Sequence, residues 1–137
     1  MFECLVIGDS IAVGTHAYLP KCESYSKGGL NSWQWNNRYL AKDLGPAETV
    51  IISLGTNDHK GVKTLKELET MRSLVVGKRV FWIMPPCNNK FCKPEVNQYV
   101  KQVAEKYGDT VIGTTRLQKD SIHPSAAGYK ELAEQVK

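Results

Sequence analysis

The sequence contains no long hydrophobic run. Its longest apolar stretches, residues 50–52 and 80–84, are far shorter than the roughly 20 residues that a membrane-spanning helix needs. The N-terminal residues also lack the basic, apolar and small-residue segments of a secretory signal peptide. We therefore expect no membrane span, and a protein that either stays in the cell that makes it or leaves by another route.

Signatures of cofactor, metal and nucleic-acid binding are also missing. No P-loop, GxGxxG motif or pair of Cys and His clusters at zinc-ligand spacing occurs. The net charge of +4 comes from 18 basic and 14 acidic residues, and the lysines are scattered along the chain. We therefore expect no cofactor, no metal and no nucleic-acid partner.

The length of 137 residues suits one hydrophobic core. A chain of this size buries about two-thirds of its unfolded surface, so its core suffices for folding. No repeat, low-complexity tract or linker interrupts it. We predict a single domain over residues 1–137, with the oligomeric state left open.

The four cysteines allow three pairings, and the sequence does not choose among them. Cys87 and Cys92 are too far apart for a CxxC redox motif, and they form either a loop disulfide or two free thiols. Cys4 lies in an apolar strand pattern, which predicts a small core residue.

Short apolar runs alternate with helical patterns. Strands are predicted at residues 2–7, 24–26, 49–54, 79–84 and 110–112. Helices are predicted from a Ser32 cap through 33–42, over 62–75, after Pro94 as far as Gly108, and after a Ser125 cap. This alternation predicts an α/β fold in three layers, with a parallel sheet between helices.

Several chemically useful residues follow the predicted strands. In an open parallel sheet, functional loops emerge at the carboxyl ends of the strands, so these residues are expected to share one rim. They are Gly8, Asp9, Ser10, Gly28, Gly29, Asn57, Asp120 and His123.

The residue types at this rim suit acyl transfer. A serine hydroxyl needs a base to take its proton, and His123 is a candidate base for Ser10. Asp120, three residues before His123, is placed to orient the imidazole if the segment turns tightly. Candidate donors to an oxyanion are the backbone amides of Ser10 and Gly29 and the side-chain amide of Asn57.

Two other acids compete for the role of orienting His123. Asp9 and Asp58 lie beside Ser10 and Asn57. We interpret both as structural residues that accept hydrogen bonds from backbone amides in their own loops.

Three motifs carry a resemblance to a known family. The motifs are Gly8-Asp9-Ser10, Gly55-Thr56-Asn57-Asp58 and Asp120-Ser121-Ile122-His123-Pro124. In these blocks the sequence resembles the SGNH hydrolases, also called GDSL-like esterases. The resemblance implies a three-layer α/β/α, flavodoxin-like fold with a central five-stranded parallel sheet. It also implies Ser10 as nucleophile, His123 as base, Asp120 as its orienter, and an oxyanion hole from Ser10, a glycine and Asn57.

The glycine of the oxyanion hole is ambiguous. Gly28 and Gly29 both follow the second strand, and we favour Gly29 because small polar residues follow it within a few positions. No GxSxG elbow is present, since Ala12 occupies the position of its second glycine, which argues against the α/β-hydrolase fold.

The resemblance leaves the substrate open. The connections between elements are short, which favours a shallow site and a short acyl group, with O-acetyl on a carbohydrate as the first hypothesis. The alternatives are longer acyl chains, as for a lysophospholipase or thioesterase, and a non-catalytic binding module. Candidate substrate contacts are Asp9, Gly28, Trp33, His59 and Asn88. Trp33 and Trp35 cannot share one helix face, so one of them is expected in the core.

Overall fold

The computed structural model describes residues 2–137, which form five strands and five helices in alternation. The strands are β1 (Phe2–Gly8), β2 (Glu23–Ser26), β3 (Ala47–Ser53), β4 (Gly77–Ile83) and β5 (Thr110–Ile112). The helices are α1 (Ser10–His16), α2 (Ser32–Tyr39), α3 (Thr64–Ser73), α4 (Pro94–Tyr107) and α5 (Ala126–Gln135).

The strands form one parallel sheet in the order β2-β1-β3-β4-β5. Alternate side chains of each strand face opposite sides of the sheet. Leu5 and Ile7 of β1 belong to the hydrophobic cluster beneath α2, α3 and α4. Val6 belongs to the cluster shared with α1 and α5. The three-layer α/β/α architecture with five parallel strands is therefore confirmed.

The ends of the later helices follow the sequence signals. Pro94 begins α4, and Gly108 ends it in the left-handed conformation, with φ of 71°. The Ser125 hydroxyl accepts a hydrogen bond from the Gly128 amide at the start of α5. These capping predictions are confirmed.

The cap of α2 differs from the prediction. The N-cap is Asn31, whose side chain accepts from the Gln34 amide, while the Gln34 side chain accepts from the Asn31 amide. Ser32 is the first helical residue, and its hydroxyl and amide both bond to Asp58. Ser32 thus bonds to Asp58, in the loop after β3, instead of capping its own helix.

The bounds of the first helix, α1, were not predicted. It has only seven residues and includes Gly14, a poor helix former. A Cβ at Gly14 would overlap the ring of Tyr129, which packs there from α5. Gly14 thus allows α1 and α5, which are distant in sequence, to pack closely.

The prediction for Cys4 is wrong in one respect. Cys4 is bonded to Cys22 in a disulfide that ties β1 to the segment before the neighbouring strand, β2. A second disulfide joins Cys87 to Cys92, the alternative that the sequence left open. All cysteines within residues 2–137 are thus paired.

No helix within residues 2–137 combines the length and apolar character required to cross a bilayer.

Candidate active site

Ser10 is held at the start of α1 by a tight turn after β1. A Cβ at Gly8 would overlap the carbonyl oxygen of Ser53 on β3, and Gly8 has φ of 140°, so a side chain is excluded there. The Asp9 amide donates to that same Ser53 oxygen at 3.0 Å. The turn therefore fixes the backbone that carries Ser10 against the centre of the sheet.

The Ser10 hydroxyl lies beside the imidazole of His123. Ser10 Oγ is 2.8 Å from His123 Nε2, and His123 Nδ1 is 2.7 Å from Asp120 Oδ2. These two contacts join a hydroxyl, an imidazole and a carboxylate into one hydrogen-bonded chain. The three residues that the sequence placed together as candidates do meet at one point of the rim.

The carboxylate of Asp120 is stabilised in its charged form. Its Oδ1 accepts the backbone amides of Ile122 and His123, each at 2.9 Å. The bond to the His123 side chain, followed by these two amides, lowers the pKa of Asp120 to about 2. An ionised carboxylate only accepts hydrogen bonds, so Nδ1 of His123 carries the ring proton and Nε2 presents its lone pair to the Ser10 hydroxyl.

The segment that carries Asp120 and His123 forms a closed turn. The Gln118 amide donates to the His123 carbonyl at 2.7 Å, and Leu117 pairs with Pro124 in an antiparallel bridge. We call residues 120–123 the base turn. It follows β5, the edge strand three positions from β1 in the sheet, and its His123 still reaches Ser10.

Asn57 lies in the turn after β3, and its side chain is oriented by the loop after β2. Asn57 Nδ2 donates to the Leu30 carbonyl at 3.0 Å. One of its two amide hydrogens is used in this bond, which leaves the other for a further acceptor. Asn57 is therefore coupled to residues 27–31, the loop after β2, which we call the glycine loop.

The two glycines of that loop differ in environment. Gly29 has φ of 84°, which strains any residue with a side chain, while Gly28 has no such conformation. A Cβ at Gly28 would lie 3.7 Å from Cβ of Ser10, whereas one at Gly29 would meet open space. Gly28 thus lies next to Ser10, whereas the left-handed conformation of Gly29 turns the backbone of the loop.

The prediction that Asp9 contacts substrate is wrong, because Asp9 is fully buried. As the N-cap of α1, its Oδ1 accepts the Ile11 amide at 3.0 Å and the Ser53 hydroxyl at 2.9 Å. Its Oδ2 has no hydrogen-bond partner within the described residues. Burial raises the pKa of Asp9 to about 6, against the opposing effect of these bonds. The structural interpretation of Asp9 agrees with these contacts, although one partner comes from β3.

Asp58 is also fully buried, but its partners lie outside its own loop. Its Oδ1 accepts the Ser32 amide at 2.8 Å, and its Oδ2 accepts the hydroxyls of Ser32 at 2.6 Å and Thr64 at 2.7 Å. The expectation that Asp58 bonds amides of its own loop is therefore corrected. Asp58 ties the turn that carries Asn57 to the first residues of α2 and α3.

Trp33 and His59 line an open cleft of about 330 Å³ beside the glycine loop. Trp33 is 54% exposed and Trp35 is fully buried, which confirms that the two tryptophans divide between surface and core. The Gly61 amide donates to His59 Nδ1 at 3.0 Å, so Nε2 of this ring carries its proton. The cleft therefore combines an exposed aromatic side chain with a fixed N–H donor.

The predicted contact residue Asn88 lies exposed in the loop between β4 and α4. Its neighbour Asn89 belongs to the same polar loop that the sequence offered for substrate contacts, and its side chain donates to the carbonyls of Pro86 and Ser121. No local pattern distinguishes Asn89 from Asn88, because the contact with Ser121 spans 32 positions of the chain.

Solved structures of other proteins are similar in fold to this chain. Neither a family model nor a curated protein sequence matches it. A member of the lipolytic protein G-D-S-L family from Veillonella parvula superposes with a TM-score of 0.65 and 18% identity, over 97% of this chain and 94% of that one.

The chain has the fold of the GDSL hydrolases. The same fold occurs in the C-terminal catalytic domain of peptidoglycan O-acetyltransferase A from Streptococcus pneumoniae, with a TM-score of 0.63, 17% identity and coverage of 98% and 89%. It also occurs in an extracellular lipase from Streptomyces rimosus, with a TM-score of 0.63, 12% identity and full coverage of both chains. The GDSL fold thus carries acyl chemistry on substrates of different kinds.

Proposed function

We propose that this protein is a serine esterase that removes short acyl groups, acetyl above all, from a carbohydrate. The observation that carries the proposal is the hydrogen-bonded chain of Ser10, His123 and Asp120, with contacts of 2.8 and 2.7 Å.

In the proposed mechanism, Ser10 Oγ attacks the carbonyl carbon of the ester while His123 Nε2 takes its proton. The negative charge that develops on the carbonyl oxygen is bound by the amides of Ser10 and Gly29 and by Nδ2 of Asn57. His123 then gives the proton to the leaving alcohol, and an acyl group remains on Ser10. Asp120 stabilises the imidazolium that forms between these two transfers.

Water completes the reaction. The side chains of His123 and Asp120 are 35% and 44% exposed, so the imidazole lies at the protein surface within reach of solvent. His123 takes a proton from this water, whose oxygen attacks the acyl carbon. His123 then returns the proton to Ser10 Oγ as the bond between this oxygen and the acyl carbon breaks, and the carboxylic acid is released. Solvent access to the base supports hydrolysis as the second half of the cycle.

The short connections between strands and helices support a short acyl group, because they leave little chain to build a deep pocket around Ser10. The space lined by Gly55, Pro85 and Phe91, at the carboxyl ends of β3 and β4, measures about 10 Å³ and does not include Ser10. A larger apolar cleft of about 380 Å³ is lined by Cys4, Leu19 and Cys22, at the amino end of the sheet. That cleft is remote from Ser10, which lies at the carboxyl end.

The cleft of Trp33 and His59 supports a carbohydrate as the alcohol part of the ester. The exposed face of Trp33 offers a surface on which a sugar ring can stack, and Nε2–H of His59 can donate to a sugar hydroxyl. The similarity to a peptidoglycan O-acetyltransferase domain is consistent with such a substrate.

The catalytic part of the proposal is tested with an aryl acetate. Replacing Ser10 by alanine should lower kcat by at least about 10³-fold, because the nucleophile is lost. Ser73→Ala, which changes an exposed serine at the end of α3, is the matched control and should retain full activity. A phosphonate that reacts with activated serines should label the protein but not Ser10→Ala. Residual hydrolysis in Ser10→Ala equal to that of the unchanged protein would refute the assignment.

The substrate part is tested separately. Acetyl esters should be hydrolysed faster than octanoyl or palmitoyl esters, and a preference for longer chains would favour a lipase or thioesterase. Trp33→Ala should raise KM for an acetylated oligosaccharide several-fold without changing KM for an aryl acetate. Tyr18→Ala, which alters an exposed aromatic residue beside the remote cleft, should change neither. Equal effects of Trp33→Ala on both substrates would contradict a sugar subsite.

A further inference from the structure

The loop between β4 and α4 is closed on itself beside the base turn. The disulfide between Cys87 and Cys92 joins two residues five positions apart. We call residues 87–92 the disulfide loop. Its backbone carries Asn89, whose side chain points out of the loop toward the base turn.

Asn89 makes contacts both within the loop and outside it. Its Oδ1 accepts the Phe91 amide at 2.9 Å, and its Nδ2 donates to the Pro86 carbonyl at 3.0 Å. The same nitrogen donates to the Ser121 carbonyl at 3.1 Å. Three polar contacts thus fix the carboxamide, and one of them crosses to the base turn.

The carbonyl that Asn89 binds belongs to the most constrained peptide of the base turn. Ser121 has φ of 57°, the left-handed conformation that residues with a side chain adopt at a cost. Its neighbours are Asp120, which binds the imidazole, and Ile122, whose amide bonds to the Asp120 carboxylate. A hydrogen bond to the Ser121 carbonyl therefore acts directly on the geometry that aims His123 at Ser10.

We propose that Asn89 is a positioning residue for the base turn, and that the disulfide between Cys87 and Cys92 holds it in place, which makes turnover sensitive to thiol reduction. This inference rests on the proposed esterase function. Opening the disulfide frees the loop backbone, so the Asn89 side chain no longer meets Ser121 in one fixed geometry. The base turn then samples orientations in which His123 Nε2 is not aligned with Ser10.

The chemical step is reduction of the loop disulfide by a dithiol. A thiolate of the dithiol attacks one sulfur of the disulfide, which releases one cysteine and forms a mixed disulfide with the other. The second thiol of the dithiol then attacks the mixed disulfide and releases the other cysteine. The dithiol becomes a cyclic disulfide, while Cys87 and Cys92 each gain one electron and one proton and become thiols. Cys87 is exposed and Cys22 is buried, so the loop disulfide is reduced before the bond between Cys4 and Cys22.

Two substitutions of Asn89 separate its donor role from its place in the loop. Asn89→Asp keeps an oxygen that accepts the Phe91 amide but has no N–H for the carbonyls of Pro86 and Ser121, and Asn89→Ala removes all three contacts. We expect both variants to lower kcat for an aryl acetate by about 5- to 20-fold with KM changed less than twofold. Lys90→Ala, an exposed residue of the same loop, should retain the parental kcat.

The disulfide is tested with two pairs of substitutions. Cys87→Ser with Cys92→Ser should lower kcat to the level of Asn89→Ala, and dithiothreitol should have no further effect on this variant. Dithiothreitol should lower kcat of the unchanged protein to the same level, reversibly on reoxidation. Cys4→Ser with Cys22→Ser, assayed below its unfolding temperature, should keep the parental kcat and its sensitivity to dithiothreitol.

A readout independent of hydrolysis separates this inference from the proposed function. NMR signals of the His123 side chain should broaden or split in Asn89→Ala and after reduction, while circular dichroism and Tm verify that the fold is intact. If Ser10→Ala retains hydrolysis but the His123 signals respond, the esterase proposal fails and the positioning role stands. Unchanged kcat and unchanged His123 signals in Asn89→Ala overturn the positioning role.

Discussion

Asp58 binds Ser32 twice, through the backbone amide at 2.8 Å and the hydroxyl at 2.6 Å. Both residues are buried. Asp58 lies in the loop after β3, and Ser32 begins α2 directly after the loop that follows β2. Because Asn57 precedes Asp58 and the glycine loop precedes Ser32, this pair holds two of the three predicted oxyanion donors, Gly29 and Asn57, in one arrangement.

Removing the Asp58 carboxylate should therefore affect both stability and rate. In Asp58→Ala the Ser32 amide and the hydroxyls of Ser32 and Thr64 lose their acceptor while buried, so we expect a loss of about 3 kcal/mol in the free energy of unfolding. Residual folded protein should show a lower kcat with an aryl acetate. Urea denaturation gives the first quantity, and Asp43→Ala, at an exposed carboxylate, is the control. Equal stability of the two variants would contradict the role of Asp58.

The glycine loop offers a second test. Gly29→Ala forces a side chain into a left-handed conformation, so we expect a loss of about 1 kcal/mol in stability and about 10-fold in kcat as the loop reorients. Gly28→Ala adds a methyl group in ordinary contact with Ser10, so its stability should be nearly unchanged. Thermal unfolding and aryl acetate kinetics of both variants provide the measurement. A larger loss of kcat in Gly28→Ala than in Gly29→Ala would move the donor assignment to Gly28.

Asp9 should make the protein less stable as pH rises. Its pKa is about 6 in the folded protein against an ordinary value of 3.8, so the folded state binds more protons between these values. Stability from this group is therefore full below pH 4 and falls until pH 6, by up to about 3 kcal/mol. Asp9→Asn should lack this decline, as measured by urea denaturation at pH 4.5 and pH 7. Parallel pH profiles of the two proteins would argue against a buried charge at Asp9.

Asp120 should have the opposite effect from Asp9, because its contribution to stability increases as pH rises. Its folded pKa of about 2 lies below the ordinary value of 3.8, so its contribution is present above pH 4 and is lost as pH falls through 2. The stability gap between the unchanged protein and Asp120→Asn should be constant above pH 5 and close toward pH 2. The same substitution should lower kcat by about 10²- to 10⁴-fold, because the amide no longer fixes the ring proton on Nδ1. An unaltered kcat would transfer the role of orienting His123 to another acid.

The sequence predicted the layers, the strands and the rim of the site, because these depend on local periodicity and on the geometry of parallel strands. Ser10, Asn57 and His123 could be located at strand ends before any contact was known. What could not be predicted depends on pairs that are distant along the chain. The partner of Cys4 required knowledge that β2 lies beside β1, and Gly14 in α1 is explained only by Tyr129 from α5.

The same reasoning explains the misassigned cap of α2. Ser32 and Asn31 are both good capping residues, and local preference does not separate them. The Ser32 hydroxyl bonds to the buried Asp58 carboxylate, and Asn31 caps the helix instead. Asp9 was expected at the rim because it adjoins Ser10, but the N-cap geometry turns its carboxylate inward to Ser53.

Ser10 and His123 are 113 positions apart in the chain, yet their side chains are in contact. During synthesis Ser10 therefore emerges 113 residues before His123, and its side chain gains this contact only after β5 has joined the edge of the sheet. Until then, residue 10 carries an alcohol without its imidazole partner. The proposed hydrolysis would therefore begin only after the segment that ends at His123 has been made and has folded against the rest of the sheet.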